Sequence, residues 1–177
     1  LLELNVFSPA PVVVKPKIYK TKSLGNTNNS KNSQAGFMSN DLGSELGTIM
    51  RIRKSPTFLE NINFNIANNM LDSVKFRVNI YSMKNGRPDS IILIEPIYVT
   101  TKLKSGVLSV DLKKYNLYVN CDFFVSLEWI EDYGKNKLYL CCGLMETNSM
   151  YRKTSQDTWH KASPVGIGFN STVSYEK

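Results

Sequence analysis

The stretch Asp72-Ser-Val-Lys-Phe-Arg-Val-Asn-Ile-Tyr81 decides the fold, because apolar and polar side chains alternate along it. A period of two is the pattern of a β-strand that buries one face and presents the other to solvent or to a partner. The buried row is predicted to contain Val74, Phe76, Val78 and Ile80. The presented row is predicted to contain Lys75, Arg77, Asn79 and Tyr81.

A second stretch, from Asp122 to Ile130, repeats this period. The row that we assign to the core contains Phe123, Val125, Leu127 and Trp129. The other row contains Phe124, Ser126, Glu128 and Ile130. We predict that both stretches are central strands of an antiparallel β-sandwich.

The rest of the chain favours the same all-β class. About nine short strands separated by turn residues, with no amphipathic helix, predict an antiparallel, jelly-roll-like sandwich. We place this domain at residues 37–177. Residues 1–20 are predicted to form one or two isolated strands, and residues 21–36, rich in Asn, Ser and Gly, a flexible linker.

The composition is that of an ordinary globular protein, with 42% hydrophobic and 21% charged residues. The net charge is +7, but the leading lysines are not interleaved with base-stacking aromatic residues, so we predict no nucleic-acid partner. No apolar run approaches the ~20 residues of a transmembrane segment. Three cysteines without a CxxC motif and a single histidine predict no metal and no cofactor.

The presented rows of the two central strands form the first candidate binding site. They carry Arg77, Asn79, Tyr81, Ser126 and Glu128. If the strands share a sheet, Arg77 and Glu128 would form a cross-strand ion pair. A concave face with a charged pair, an amide and an aromatic ring would suit a sugar or a peptide. The simpler alternative is that the pair only solubilises or orders the sheet.

The polar segment Tyr151-Arg-Lys-Thr-Ser-Gln-Asp-Thr-Trp-His160 is the second candidate, and we predict that it is a hairpin. An exposed Trp159, with Tyr151 nearby, would suit stacking on a sugar ring or docking to a partner. Alternatively, the hairpin folds back and Trp159 caps the core. A further row, Asn61, Asn63 and Asn65, would form either a hydrogen-bonding surface or a merely solvated sheet face.

Glycoside hydrolysis needs two carboxyl groups roughly 5–9.5 Å apart. Glu128 is the only acid in mid-strand on a face outside the core, and the sequence indicates no second carboxylate opposite it. The sequence has no Gly-x-Ser-x-Gly motif whose serine His160 could activate as a nucleophile. We therefore predict no catalytic residue and keep a carbohydrate-active enzyme using Glu128 as an alternative.

Five segments follow one another in the order Lys22-Ser-Leu-Gly25, Leu42-Gly-Ser-Glu-Leu-Gly-Thr48, Asp72-Ser-Val-Lys-Phe-Arg-Val-Asn-Ile-Tyr81, Val110-Asp-Leu112 and Phe124-Val-Ser-Leu-Glu-Trp129. This series resembles Bacteroidetes proteins in which a carboxypeptidase-like regulatory domain precedes an uncharacterised β-rich module. The resemblance covers most of residues 20–177. It implies an exported protein of unassigned activity, periplasmic or associated with the outer membrane, and the regulatory domain's name implies no peptidase.

Three hypotheses of function follow. The first is a non-catalytic module of an exported cell-envelope protein that binds a glycan, a peptide or an envelope protein. The second is the enzyme using Glu128, and the third is a purely structural spacer. The identity of the ligand and the oligomeric state stay open at this point.

Overall fold

The computed structural model describes residues 17–38, 41–134, 136–145 and 148–177. Within these ranges the chain forms fifteen strands, a 3₁₀ turn at Lys113–Tyr115 and no α-helix. The strands are β1 (Tyr19–Gly25), β2 (Gln34–Phe37), β3 (Glu45–Met50), β4 (Thr57–Asn69), β5 (Val74–Lys84), β6 (Arg87–Ile91), β7 (Ile97–Thr101), β8 (Gly106–Asp111), β9 (Tyr118–Val119), β10 (Phe123–Trp129), β11 (Leu138–Leu144), β12 (Ser149–Arg152), β13 (His160–Lys161), β14 (Val165–Ile167) and β15 (Phe169–Glu176). A search of this part of the chain finds no helix suited to crossing a membrane.

The strands form two antiparallel sheets. The first sheet has the order β1-β15-β4-β11-β14, with β2 paired to β11 and with β8 and β9 paired to β4. The second has the order β13-β12-β3-β10-β5-β6, with β7 paired to β5. The predicted all-β antiparallel sandwich is confirmed. The predicted count of about nine strands is wrong, because strands as short as β9 and β13 contain too few residues to show a period of two.

The core lies between the two sheets and depends on the pairing of β5 with β10. The register places Phe76 opposite Trp129, Val78 opposite Leu127 and Ile80 opposite Val125. None of these six side chains is exposed to solvent. Full burial of an aliphatic or aromatic side chain of this size contributes about 1.5–3 kcal/mol. The prediction that these two rows form the core is confirmed.

Residues 19–25 and 34–37 belong to the sandwich. β1 pairs with β15 along its whole length, and β2 pairs with β11. Leu24 and Phe37 are buried in the core. The predicted flexible linker is therefore wrong for these strands, because backbone hydrogen bonds order a segment whose side chains are mostly polar. Residues 1–16, where isolated strands were predicted, lie outside the described residues, and a domain boundary at residue 37 stays a prediction.

Gly47 lies in β3, opposite Ser126 of β10. A Cβ atom at Gly47 would collide with the Phe124 ring and the Val125 carbonyl oxygen. We expect Gly47→Ala to lower the free energy of unfolding by about 1–3 kcal/mol, the usual effect of overpacking. Urea unfolding would measure it.

Thr100→Ala, at an exposed position of β7 in the same sheet, is the control. It should change the free energy of unfolding by less than about 0.5 kcal/mol. Equal stabilities of the two variants would contradict the close approach at Gly47.

Candidate functional site

The outer face of the second sheet carries a row of charged side chains across four strands. In the antiparallel register each is directly opposite the next, in the order Arg152, Glu45, Glu128 and Arg77. The predicted pair of Arg77 and Glu128 is confirmed: Nε and Nη2 of the arginine lie 2.7 Å from Oε2 and Oε1. We call these four residues, with Asn79, Tyr81 and Ser126, the charged network.

Glu45 is the centre of the charged network and is completely buried. Arg152 Nε donates to its Oε2 at 2.8 Å, and the Tyr81 hydroxyl donates to its Oε1 at 3.0 Å. Asn79 Nδ2 donates to Oε1 at 2.9 Å, and the Ser126 hydroxyl donates to the same oxygen. A buried carboxylate is tolerated when a cation and several donors compensate its lost hydration, and Glu45 has both.

Two negative charges lie side by side in this row, since Glu45 is directly opposite Glu128. Like charges in opposed positions destabilise a sheet. Asn79 Nδ2 counters this by donating to both carboxylates, at 2.9 Å to Glu45 and 2.8 Å to Glu128. Each carboxylate also holds its own arginine. The row of four is therefore neutral as a whole.

Sequence reasoning missed Glu45 and Arg152, and the prediction that no carboxylate lies opposite Glu128 is wrong. Glu45 is the first residue of β3. The strand was hard to recognise because Gly47 interrupts its alternation. A glutamate next to the apolar residues of 46–50 was the available signal, but only the register with β10 places it opposite Glu128.

The predicted hairpin is present, with Tyr151 opposite His160. It folds back, as one of the two alternatives proposed, but Trp159 covers the outer face of the second sheet and not the main core. The Trp159 ring centroid lies 5.7 Å from that of Tyr81 and 4.8 Å from that of Phe124. The Arg152 guanidinium lies 4.9 Å from the Trp159 ring centroid, within cation–π range. Trp159 therefore shields the Arg152 end of the charged network.

Tyr151 does not join the charged network. It stacks on His160, with ring centroids 5.5 Å apart. It also lines a separate cavity of about 290 Å³, together with Leu46 and Ile167. Of the seven residues in the two predicted binding sites, six therefore gather on one face, and Tyr151 lies apart.

A groove of about 190 Å³ opens over the Arg77 end of the charged network. Arg77 and Asn79 line it, along with Ile91, Leu93, Ile94, Glu95 and Pro96. Ile94 is fully exposed, and the Arg77 side chain is 35% exposed, against 4% for Glu128. The groove thus presents a fixed guanidinium and an aliphatic wall, whereas Asn79 is 2% exposed and donates to Glu45 and Glu128. The carboxylates of Glu45 and Glu128 are enclosed and already accept hydrogen bonds.

No family model matches this chain, and no curated protein matches it. A solved structure of the cysteine protease and lectin-like domains of Cwp84, a surface layer associated protein of Clostridium difficile, is similar in fold. It is 14% identical, with a TM-score of 0.64 over 86% of this chain. A variant of the clostridial cysteine protease Cwp84 after propeptide cleavage is also 14% identical, with a TM-score of 0.61 over 88%. The chain spans 36% and 40% of the lengths of these two chains.

This likeness corrects the leading hypothesis of a non-catalytic envelope module that binds a glycan, a peptide or a protein. That solved structure contains a cysteine protease domain beside a lectin-like domain, so this fold alone does not support a non-catalytic assignment. The enclosed Glu128 carboxylate, which already accepts hydrogen bonds from Arg77 and Asn79, argues against the alternative of hydrolysis by Glu128. The resemblance to Bacteroidetes proteins stays a prediction.

Removal of Glu45 should destabilise the protein strongly. Glu45→Ala removes the carboxylate that pairs with Arg152 and accepts from Tyr81 and Ser126, and it removes one of the two acceptors of Asn79. We expect a loss of about 3–5 kcal/mol in the free energy of unfolding, as for other broken buried ion pairs. Urea unfolding, with circular dichroism as the signal, would measure it.

The matched control is Glu176→Ala, which removes a pair between solvent-exposed Lys17 and Glu176 with an N–O distance of 3.0 Å. We expect no measurable change, because water screens exposed pairs. A Glu45→Ala variant as stable as this control would show that the charged network does not support the fold.

The charged network also predicts a loss of stability at alkaline pH. Burial and the neighbouring Glu45 carboxylate raise the pKa of the Tyr81 phenol far above its ordinary value of 10.0. Since the pKa is higher in the folded state than in the unfolded state, Tyr81 stabilises the fold fully below pH 10, and this contribution falls as the pH rises further. Tyr81→Phe should remove the part of the decrease in unfolding free energy between about pH 9 and 11 that Tyr81 causes.

Thermal unfolding across this pH range would test the expectation. Tyr118→Phe, at a tyrosine that is 56% exposed, should lose stability with rising pH as the wild type does. A loss of stability in Tyr81→Phe equal to that of the wild type would mean that Tyr81 ionises as freely in the folded state as in the unfolded state.

Proposed function

We propose that this chain is a lectin-like domain of an exported protein with a catalytic domain of the cysteine-protease type, and that it binds a saccharide in the groove over Arg77 and Asn79. Saccharide binding would then place the catalytic domain near its substrate. The first hypothesis, in contrast, was a module without any catalytic role. The all-β architecture and the span of 36% support assignment to the lectin-like part of a protein such as Cwp84.

The groove with a pre-organised floor carries the proposal. Glu128 holds the Arg77 guanidinium by two hydrogen bonds, and both carboxylates hold the Asn79 amide. Side chains that are already ordered lose little conformational entropy when a ligand binds. The guanidinium matches sugar hydroxyls and carboxylates, and the aliphatic wall at Ile91 and Ile94 suits the apolar face of a sugar ring.

Export is the second part of the proposal. The association of Cwp84 with the surface layer supports a location outside the cytoplasm. A periplasmic or outer-membrane location is the finer form of the proposal and comes from the sequence resemblance. Protease treatment of intact and permeabilised cells, followed by immunoblotting, would test both export and the periplasmic or outer-membrane location. Complete resistance after the envelope is opened would count against export.

Calorimetric titration with soluble neutral and acidic polysaccharides tests the groove. We expect Ile94→Ala to weaken binding about five- to tenfold, because it removes roughly 1 kcal/mol of apolar contact. Arg77→Lys should also weaken binding, since a lysine keeps the charge but loses the planar geometry.

Met70→Ala is the matched control, at a side chain that is 53% exposed and does not line the groove. It should bind as the wild type does. Equal affinities for the Ile94 and Met70 variants, or no binding of any polysaccharide, would overturn the proposed groove.

A further inference from the structure

We infer that the outer face of the first sheet is a second binding surface, which takes an extended neutral polysaccharide. This surface goes beyond the groove, which lies on the other sheet. Three rows of side chains form it across β1, β15, β4 and β8 or β9. We call them the polar face: Thr21, Ser174, Phe58 and Tyr118; then Ser23, Thr172, Asn61 and Asp111; then Gly25, Asn170, Asn63 and Ser109.

The alternation along β4 separates this face from the core. Leu59, Ile62 and Phe64 are fully buried between the sheets, whereas Asn61 and Asn63 are partly exposed on the outside. The row of asparagines noted in the sequence is therefore on the outer face at these two positions. Asn65 differs, since it is 3% exposed and its Nδ2 donates to the Asn28 carbonyl.

A ladder of three amides crosses the centre of the polar face. Asn63 Nδ2 donates to Asn61 Oδ1 at 3.1 Å and to Asn170 Oδ1 at 2.9 Å. These bonds orient all three amides relative to one another. Each amide has two donor hydrogens and a carbonyl acceptor, so the ladder keeps further donors and acceptors beyond the bonds inside it. Fixed donors and acceptors in alternation match hydroxyl groups, which both donate and accept.

An aromatic pair lies at one end of the polar face. The ring centroids of Phe58 and Tyr118 are 5.0 Å apart, and Tyr118 is 56% exposed. A ring held in place by a neighbour offers a rigid apolar surface at low entropic cost, which suits stacking against a sugar ring. From Phe58 to Asn63 the strand runs for roughly 15 Å, so a ligand that contacts both the rings and the ladder must be extended.

The charge on the polar face selects a neutral ligand. Although the chain has a net charge of +7, the three rows contain one ionisable acid, Asp111, and no lysine or arginine. Beside them, Glu60 pairs with Lys113 at 3.8 Å. Lys17, another lysine beside this face, pairs with Glu176 at 3.0 Å. A polyanion would therefore meet the Asp111 carboxylate and two lysines that are already paired, whereas a neutral polyhydroxyl chain would meet no Coulomb repulsion.

The inference is tested by affinity electrophoresis and calorimetry with two neutral probes, soluble β-glucan and mannan, and with polygalacturonate as the acidic probe. We expect Tyr118→Ala to weaken binding to a neutral probe about three- to tenfold, because it removes the stacking ring. Tyr118→Phe should bind as the wild type does. Asn63→Ala should also weaken binding, and circular dichroism would confirm that each variant is folded.

Ile94→Ala separates this surface from the groove. Loss of neutral binding in Tyr118→Ala with normal binding in Ile94→Ala supports the polar face and contradicts the groove. Loss in Ile94→Ala alone overturns the polar face and leaves the groove in place. Losses in both variants support two surfaces. Binding of polygalacturonate alone, or of no probe, overturns the polar face.

Discussion

The register between β5 and β10 is the constraint on which the other features depend. It places Phe76 opposite Trp129 on the inner face and, one residue on, Arg77 opposite Glu128 on the outer face. A slip of one residue would turn every side chain of either strand to the wrong face. The apolar core and the charged network therefore both follow from one set of backbone hydrogen bonds. Each of them stabilises the register that the other requires.

The charged network contributes specificity of pairing more than net stability. Removing two carboxylates and two guanidinium groups from water costs several kcal/mol per ion, and the ion pairs and hydrogen bonds offset much of that cost. An apolar row of similar volume could be as stable. It would accept several registers, however, whereas Arg77, Glu128, Glu45 and Arg152 match only when β5, β10, β3 and β12 are aligned as observed. The same ordering leaves Arg77 and Asn79 fixed at the floor of the groove.

The two outer faces of the sandwich differ in chemistry. The second sheet presents charged groups and aliphatic residues over a groove, and the first sheet presents amides, hydroxyls and an aromatic pair. Both faces consist of side chains held by their neighbours, which is a property that weak polar ligands such as sugars require, because little of the interaction energy is then lost to ordering.

The sequence by itself determined the all-β class and the core rows of β5 and β10, because both follow from a local period of two in strands long enough to show it. It offered the pairing of Arg77 with Glu128 only on condition that the two strands share a sheet, and the register of β5 with β10 decided it. It did not determine β1 and β2, whose polar side chains resemble a linker and whose order comes from hydrogen bonds to β15 and β11. Nor did it reveal Glu45 and Arg152 in the network. They lie about thirty residues before Arg77 and more than seventy after it, and only the tertiary structure brings them together, since cross-strand register is a relation between distant segments that no local pattern encodes.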